Sequence, residues 1–175
     1  MPIEPDTKDW TWVLDRPCPE CGFDAAAFVR EDVAEMLRAN VEAWLRVLGE
    51  PDASIRPSDD RWSMLEYACH VRAVFRIYDQ RLARMLLEED PLFANWDQDT
   101  TAVEDRYASQ DPVVVAAELA VAGEAIAGGF GAIEGAQWAR VGRRSDGATF
   151  TIESFARYFV HDPIHHLYDV ETAGL

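Results

Sequence analysis

The sequence has little positive charge. Lysine occurs only at position 8, and 32 aspartate and glutamate residues outnumber 16 lysine and arginine residues, which gives a formal net charge of −16 at pH 7. A surface with this excess of negative charge repels the phosphate backbone of DNA or RNA. We therefore expect no nucleic-acid partner.

Cysteines and long apolar runs are also scarce. Three cysteines leave at least one unpaired, which does not suit the disulfide framework of a small secreted protein. No positively charged region followed by an apolar run opens the chain, and the most apolar segment, residues 113–133, is interrupted by Glu118 and Glu124. These features predict a cytoplasmic protein without a membrane partner. Its 175 residues, 49% of them hydrophobic, suffice for one well-packed domain.

The first 22 residues differ in composition from the rest of the chain. They are rich in proline, acidic residues and tryptophan without a sustained period, so we expect an extended arm, residues 1–22, ahead of a main domain, residues 23–175. The arm holds a C-x-x-C pair, Cys18 and Cys21. Three roles stay open for it: a structural or incidental pair, a reversible disulfide, or metal ligation with help from elsewhere, since the chain lacks a second such pair.

Four helices are predicted from apolar residues spaced three and four apart. The second begins with the capping-box pattern Ser63-x-x-Glu66, and the third is expected to fray at Gly128 and Gly129. The predicted ranges are 24–48, with Asp24 as the N-cap, 63–88, 113–126 and 152–172.

Two connections between these helices are unusual. Residues 89–110 form a longer link than antiparallel neighbours need, which predicts a crossover along the bundle. Residues 138–150 contain Asp146-Gly147 between alternating segments, which predicts a short hairpin. The expected fold class is all-α, a four-helix bundle with a crossover connection and a short extended hairpin before the last helix.

Three of the four histidines lie in the last predicted helix. His161 and His165 are four residues apart, so their imidazoles face the same side of the helix. A helical wheel places this pair on the polar side, beside Tyr158 and Tyr168, and places His166 on the apolar stripe, as a core residue or a neighbour of the pair. Such a pair is typical of metal ligands, but it is also compatible with unrelated, hydrogen-bonded histidines.

The fourth histidine, His70, lies at the border of the apolar stripe of the second helix, one turn after Glu66. Two histidines from one helix and one from another would supply three nitrogen ligands and leave positions open, as in catalytic zinc sites. Pro163 interrupts the hydrogen bonding of the last helix and predicts a kink beside the histidine pair, or else a break.

Four features stand together in this sequence: Trp62-Ser63 at the start of the second helix, Glu66 and His70 within it, the segment Trp96-Asp97-Gln98-Asp99, and the C-terminal His161-Asp162-Pro163-Ile164-His165-His166. Over roughly residues 23–172 they resemble the DinB/YfiT-like family of four-helix-bundle metalloenzymes. The resemblance implies a bundle with a crossover, often a homodimer, that binds a divalent metal, zinc or nickel. It implies that the three ligands are His70, His161 and His165.

This family is similar to the metal-binding domain of mycothiol-dependent maleylpyruvate isomerase and to bacillithiol transferases. The resemblance therefore implies an enzyme that uses a low-molecular-weight thiol such as mycothiol, as an S-transferase or isomerase on a small electrophile, or else a hydrolase. Glu66 is the candidate base, with an ordinary solvated glutamate as the alternative. The candidate pocket residues are Trp62, Tyr158, His166 and Tyr168. Two competing hypotheses are a non-catalytic metal-binding stress-response or sensor protein and a helical dimerisation module.

Overall fold

The bundle is built from four long helices in a computed structural model that describes residues 9–172. The helices are α1 (Val33–Leu48), α2 (Met64–Leu87), α3 (Gln98–Glu104), α4 (Pro112–Gly131) and α5 (Ile152–Thr172), and the strands are β1 (Leu92–Phe93), β2 (Val141–Arg144) and β3 (Thr149–Thr151). Short 3-10 turns lie at Trp10–Leu14, Arg30–Asp32, Tyr107–Ser109 and Gly135–Ala139. The predicted fold class, a helical bundle with a short hairpin before the last helix, is confirmed.

The order of the helices around the bundle requires the chain to cross it. The helices α2 and α4 are neighbours that run in the same direction. Glu118, early in α4, binds Arg72 of α2, and Gly129, late in α4, lies beside Leu82. The connection over residues 89–110 therefore crosses along the bundle, as predicted. The core of the bundle is rich in aromatic side chains, including Trp44, Phe75, Phe130 and Phe159. By length and composition alone α4 is apolar enough to cross a bilayer, but here it is a packed helix of the bundle.

The capping box at the start of α2 forms as predicted. The Ser63 hydroxyl accepts a hydrogen bond from the Glu66 N–H at 3.2 Å, and the Glu66 carboxylate accepts one from the Ser63 N–H at 2.9 Å. These two bonds satisfy backbone donors that the first turn of a helix leaves unpaired. They therefore fix the start of the helix that carries His70.

Two predicted helix boundaries are wrong. Asp24 caps a turn, because its carboxylate accepts the Ala26 N–H at 2.9 Å, and α1 begins only at Val33. Conversely, α4 continues past Gly128 and Gly129 to Gly131. Tertiary packing outweighs the low helix propensity of glycine there, because Phe130, next along the helix, is buried in the core.

The connection over residues 89–110 has more structure than its composition predicts. Asp97 caps α3 by accepting the Thr100 N–H at 2.9 Å. β1 pairs in parallel with β2, and β2 pairs antiparallel with β3, so the predicted hairpin is part of a three-stranded sheet. Residues of α3 and of β2 line the cavity described below.

Gly123 allows α4 to approach its neighbours closely. A Cβ atom at this position would lie 2.2 Å from Val41 Cγ2 of α1 and 3.2 Å from Phe75 Cε2 of α2. We expect Gly123→Ala to lower the free energy of unfolding by about 1 kcal/mol, because overpacking outweighs the gain in helix propensity. Gly128→Ala is the matched control: its Cβ would meet nothing within 4 Å, so we expect a gain of about 0.5 kcal/mol or more. Denaturant unfolding of both variants measures the change in the free energy of unfolding. Equal changes in the two variants would contradict a close approach of α4 to its neighbours at Gly123.

Candidate metal centres

The described part of the N-terminal arm, residues 9–22, covers one side of α5. The ring of Trp10 lies 5.4 Å from the His161 ring and 5.0 Å from the His165 ring, measured between centroids. Both histidines are consequently buried, although the helical wheel places them on the polar side of the helix. The arm accounts for this difference, because it supplies the surface that buries them.

A first cluster joins the arm to α5. One ligand atom from each of Cys18, Cys21, His161 and His165 lies within 4.8 Å of the others. Cys18 Sγ is 3.6 Å from His165 Nδ1. Burial lowers the pKa of His161 to about 4, with the neighbouring His165 acting in the same direction, so His161 is neutral at pH 7 and keeps a lone pair for a cation. We call this set the Cys–His cluster.

A second cluster lies between α2 and an adjacent side of α5. It consists of His70, Asp162 and His166, again with one ligand atom each within 4.8 Å of the others. His70 Nε2 is 3.4 Å from Asp162 Oδ1, and His166 Nε2 is 3.8 Å from the same oxygen. We call this set the His–Asp cluster.

The structure therefore divides the three histidines that were predicted to share a metal. His161 and His165 lie together, and His70 lies with Asp162 and His166. Asp162 and His166 are also spaced i, i+4, one residue further along α5, so they face a different side of the helix from the histidine pair. Asp162 is the candidate ligand that the sequence reasoning missed, and this second i, i+4 pair is the signal for it.

The His–Asp cluster fits a divalent cation. Both ring nitrogens of His70 and Oδ1 of Asp162 are buried with no hydrogen-bond partner among residues 9–172. Buried polar atoms normally have a partner, and a bound cation would provide one. A tetrahedral zinc ion with its usual bond lengths holds two nitrogen or oxygen ligands about 3.3 to 3.5 Å apart, close to the observed 3.4 Å between His70 and Asp162.

The charge of the His–Asp cluster also favours a cation. Burial acts to raise the pKa of Asp162, but the adjacent rings of His70 and His166 outweigh it and lower this pKa to about 2. Asp162 is thus a carboxylate at neutral pH. Two imidazoles and one carboxylate form the ligand type that leaves positions open in non-haem iron enzymes and in some catalytic zinc sites.

Asp169 lies between the two clusters. Its Oδ2 is 3.0 Å from Nδ1 of His166, and its Oδ1 is 3.7 Å from Nε2 of His165. A carboxylate on the far nitrogen of a ligating histidine fixes the orientation and tautomer of the ring. The contact with His166 leaves Nε2 of that ring directed to the His–Asp cluster.

A cavity of about 450 Å³ reaches the His–Asp cluster through Asp162 and His166. Its other walls include Arg81, Arg144 and Tyr158. Trp10, Trp96, His161 and His165 also border it. This volume is within the range of small-molecule sites.

The other predicted site residues have distinct surroundings. Glu66 is buried and outside both clusters, because its carboxylate binds Arg56 and Ser63. Trp62 lies 5.7 Å from His70 between ring centroids, on the side of a second cavity of about 710 Å³. Tyr168 lies 6.3 Å from the His165 ring. The roles of Glu66 as a base and of Trp62 and Tyr168 as pocket residues stay predictions.

Fold and clusters together define a four-helix-bundle protein with two sets of side chains suited to metal ions. The family model of the DinB superfamily matches residues 34–170, most of the chain, so the protein belongs to the DinB superfamily. Among solved structures it is similar to YfiT from Bacillus subtilis, described as a probable metal-dependent hydrolase with an unusual four-helix bundle topology. The TM-score is 0.70 with 18% identity, and the match covers 83% of each chain. No curated protein matches the chain.

Proposed function

We propose that this protein is a metal-dependent enzyme whose active site is the His–Asp cluster. The observation that carries the proposal is the position of His70, Asp162 and His166 beside a cavity, with no fourth ligand in that cluster among residues 9–172. Three protein ligands leave coordination positions for water and substrate. A closed, purely structural site would fill these positions with further side chains.

The nucleophile in this proposal is a low-molecular-weight thiol such as mycothiol, transferred to a small electrophile or used to isomerise it. A bound zinc or nickel ion supplies Lewis acidity, which lowers the pKa of a coordinated thiol or water. The chain's own contribution is to hold His70 in a fixed orientation: its ring stacks on Trp96, with 5.5 Å between centroids and 12° between planes. The resemblance to thiol-dependent enzymes supports this choice of nucleophile. The cysteine content supports it too, because it predicts a cytoplasmic protein, and the cytoplasm keeps thiols reduced.

The walls of the cavity favour a substrate with an anionic group. Arg81 is buried, its Nη2 donates to the Ala94 carbonyl at 3.0 Å, and no carboxylate among residues 9–172 pairs with it. A buried guanidinium without an anionic partner favours a ligand that supplies one. Arg144 donates to the Tyr158 hydroxyl at 3.1 Å, which leaves the phenolic proton of Tyr158 available to a substrate oxygen.

Hydrolysis is the second candidate, because the similar YfiT structure is described as a probable metal-dependent hydrolase. In that case water takes the place of the thiol, and the cavity holds a single substrate. The alternative of a metal-binding sensor without turnover requires no substrate in the cavity.

The homodimer implied by the family resemblance likewise stays a proposal, which sedimentation of the purified protein tests.

The experiment that tests the proposal compares two reactions on zinc-loaded and nickel-loaded protein. Mycothiol with monochlorobimane reports thiol transfer, and a p-nitrophenyl ester without thiol reports hydrolysis. We expect metal-dependent thiol transfer that a chelator abolishes and added metal restores, with at least a hundredfold loss in Asp162→Ala. Ester hydrolysis without a thiol requirement would favour the hydrolase. Tight metal binding with neither activity, over a panel of electrophiles and esters, would contradict an enzymatic role.

A further inference from the structure

We propose that the Cys–His cluster is a second, closed zinc site that fastens the N-terminal arm to α5. Its four ligands are Cys18 and Cys21 from the arm and His161 and His165 from the helix. The spacings C-x-x-C and H-x-x-x-H are those of structural Cys2His2 zinc sites. This site is distinct from the His–Asp cluster, because the two share no ligand.

The distances match tetrahedral coordination. With the usual bond lengths, a zinc ion holds a sulfur and a nitrogen ligand about 3.6 Å apart. Cys18 Sγ and His165 Nδ1 are separated by 3.6 Å. Nε2 of His161 is buried with no hydrogen-bond partner among residues 9–172, although the ring is only 3% exposed. A metal ion would give this nitrogen a partner.

The turn that carries the cysteines is held in shape by backbone contacts. Cys18 N–H donates to the Phe23 carbonyl at 2.8 Å, and Gly22 N–H donates to the Cys18 carbonyl at 3.0 Å. Gly22 has a φ of +75°, a conformation that favours glycine. This tight turn directs both sulfur atoms to the same point, as a zinc-binding cysteine turn requires.

Charged neighbours complete the site. His165 binds through Nδ1, so its Nε2 is directed to carboxylates: Glu20 Oε2 lies at 3.4 Å and Asp169 Oδ1 at 3.7 Å. Such carboxylates orient a ligating histidine and strengthen its bond to the metal. Two thiolates balance the charge of Zn²⁺, so the occupied site is neutral and suits its buried position.

Four protein ligands leave no position for a substrate, which makes this site structural. It joins residues 18–21 to residues 161–165, close to the opposite end of the chain. Asp162 lies between its two histidine ligands on α5, so the zinc would also hold this part of α5, and with it the His–Asp cluster, in place.

The first test is the zinc content of tag-free protein purified under reducing conditions and dialysed against a weak chelator. We expect one tightly held zinc per chain in the wild type, lost in Cys18→Ser/Cys21→Ser and in His161→Ala. Cys69→Ser is the matched control, because this third cysteine is buried in α2 outside the cluster, and we expect it to retain the metal. Wild-type zinc content in the double cysteine variant would overturn the proposal.

Two further measurements do not depend on the stability of those variants. Cobalt(II) bound to the wild type should show sulfur-to-cobalt charge-transfer absorption, and a protein that binds two cobalt ions per chain without this absorption would overturn the proposal. Glu20→Gln changes only a half-exposed carboxylate beside His165 and should weaken zinc affinity about 10- to 100-fold. Where metal-free protein is isolated with a Cys18–Cys21 disulfide, its reduction should increase zinc binding. If zinc binding is the same before and after reduction, the zinc site is contradicted.

Discussion

Asp162→Ala is expected to weaken Mn²⁺ binding by more than about a hundredfold, because Asp162 is the only anionic ligand of the His–Asp cluster. Without it, a dication would be held by His70 and His166 alone. Manganese is the probe of choice because it prefers oxygen and nitrogen ligands, whereas the thiolates of the Cys–His cluster select zinc. The electron paramagnetic resonance signal of free Mn²⁺ gives the affinity directly.

The control for this titration is Asp146→Asn. Asp146 lines the same cavity and pairs with Arg144, but lies outside both clusters. We expect its Mn²⁺ affinity to stay within a few-fold of the wild type. If Asp162→Ala binds as tightly as the wild type, or if both variants lose affinity equally, the His–Asp cluster is not the cation site.

Arg56→Ala is expected to lower the free energy of unfolding by about 2 kcal/mol, because it leaves the Glu66 carboxylate buried without its charge partner. Arg56 binds both carboxylate oxygens, and the Glu66 side chain is only 3% exposed. The loss is smaller than for a fully buried pair, since the Arg56 side chain is 35% exposed. In thermal unfolding this corresponds to a decrease in Tm of about 4 to 8 °C. Arg61→Ala, at an exposed position nearby, is the control and should change stability by less than about 0.5 kcal/mol.

The cost of Arg56→Ala should depend on pH. Burial acts to raise the pKa of Glu66, but Arg56 and Ser63 together lower it below its usual value. A carboxylate whose pKa is lowered by folding stabilises the protein above its unfolded pKa, and this contribution is lost as pH falls through the folded pKa. The difference between wild type and variant should therefore shrink in acid. Unchanged metal-dependent activity in Arg56→Ala would support a structural role for Glu66; a large loss of activity without a loss of stability would instead favour the predicted catalytic role.

Much of the bundle could be predicted from local patterns. The capping box of Ser63 and Glu66 marks the start of α2 because it requires only residues three apart. The Asp146-Gly147 turn marks the hairpin for the same reason. The start of α1 was wrong because Asp24 caps a turn as readily as a helix. The strand β1 was missed because two residues carry no periodic signal, and its parallel partner β2 lies about fifty residues away.

The candidate sites were partly predictable. A helical wheel separates His166 from His161 and His165, and the structure likewise puts His166 in a different cluster from that pair. The wheel places the pair on the polar side, however, whereas both of its rings are buried and His166 is more exposed. The wheel does not reveal that the N-terminal arm covers the polar side of α5. This contact joins residues far apart in the sequence, so no local pattern indicates it. The Cys18 and Cys21 pair lies far from the histidine pair in the sequence, so no local pattern joins them. The family resemblance groups His70 with His161 and His165, whereas in the structure the ligand atoms close to His70 are those of Asp162 and His166.

The most direct test of the account is a crystal structure with data collected at the zinc or nickel absorption edge. A metal ion in the His–Asp cluster gives an anomalous peak bounded by His70 Nε2, Asp162 and His166 Nε2, with the remaining coordination positions directed to the cavity. A single peak shared by His70, His161 and His165, or no peak beside His70 after soaking with metal, would contradict it.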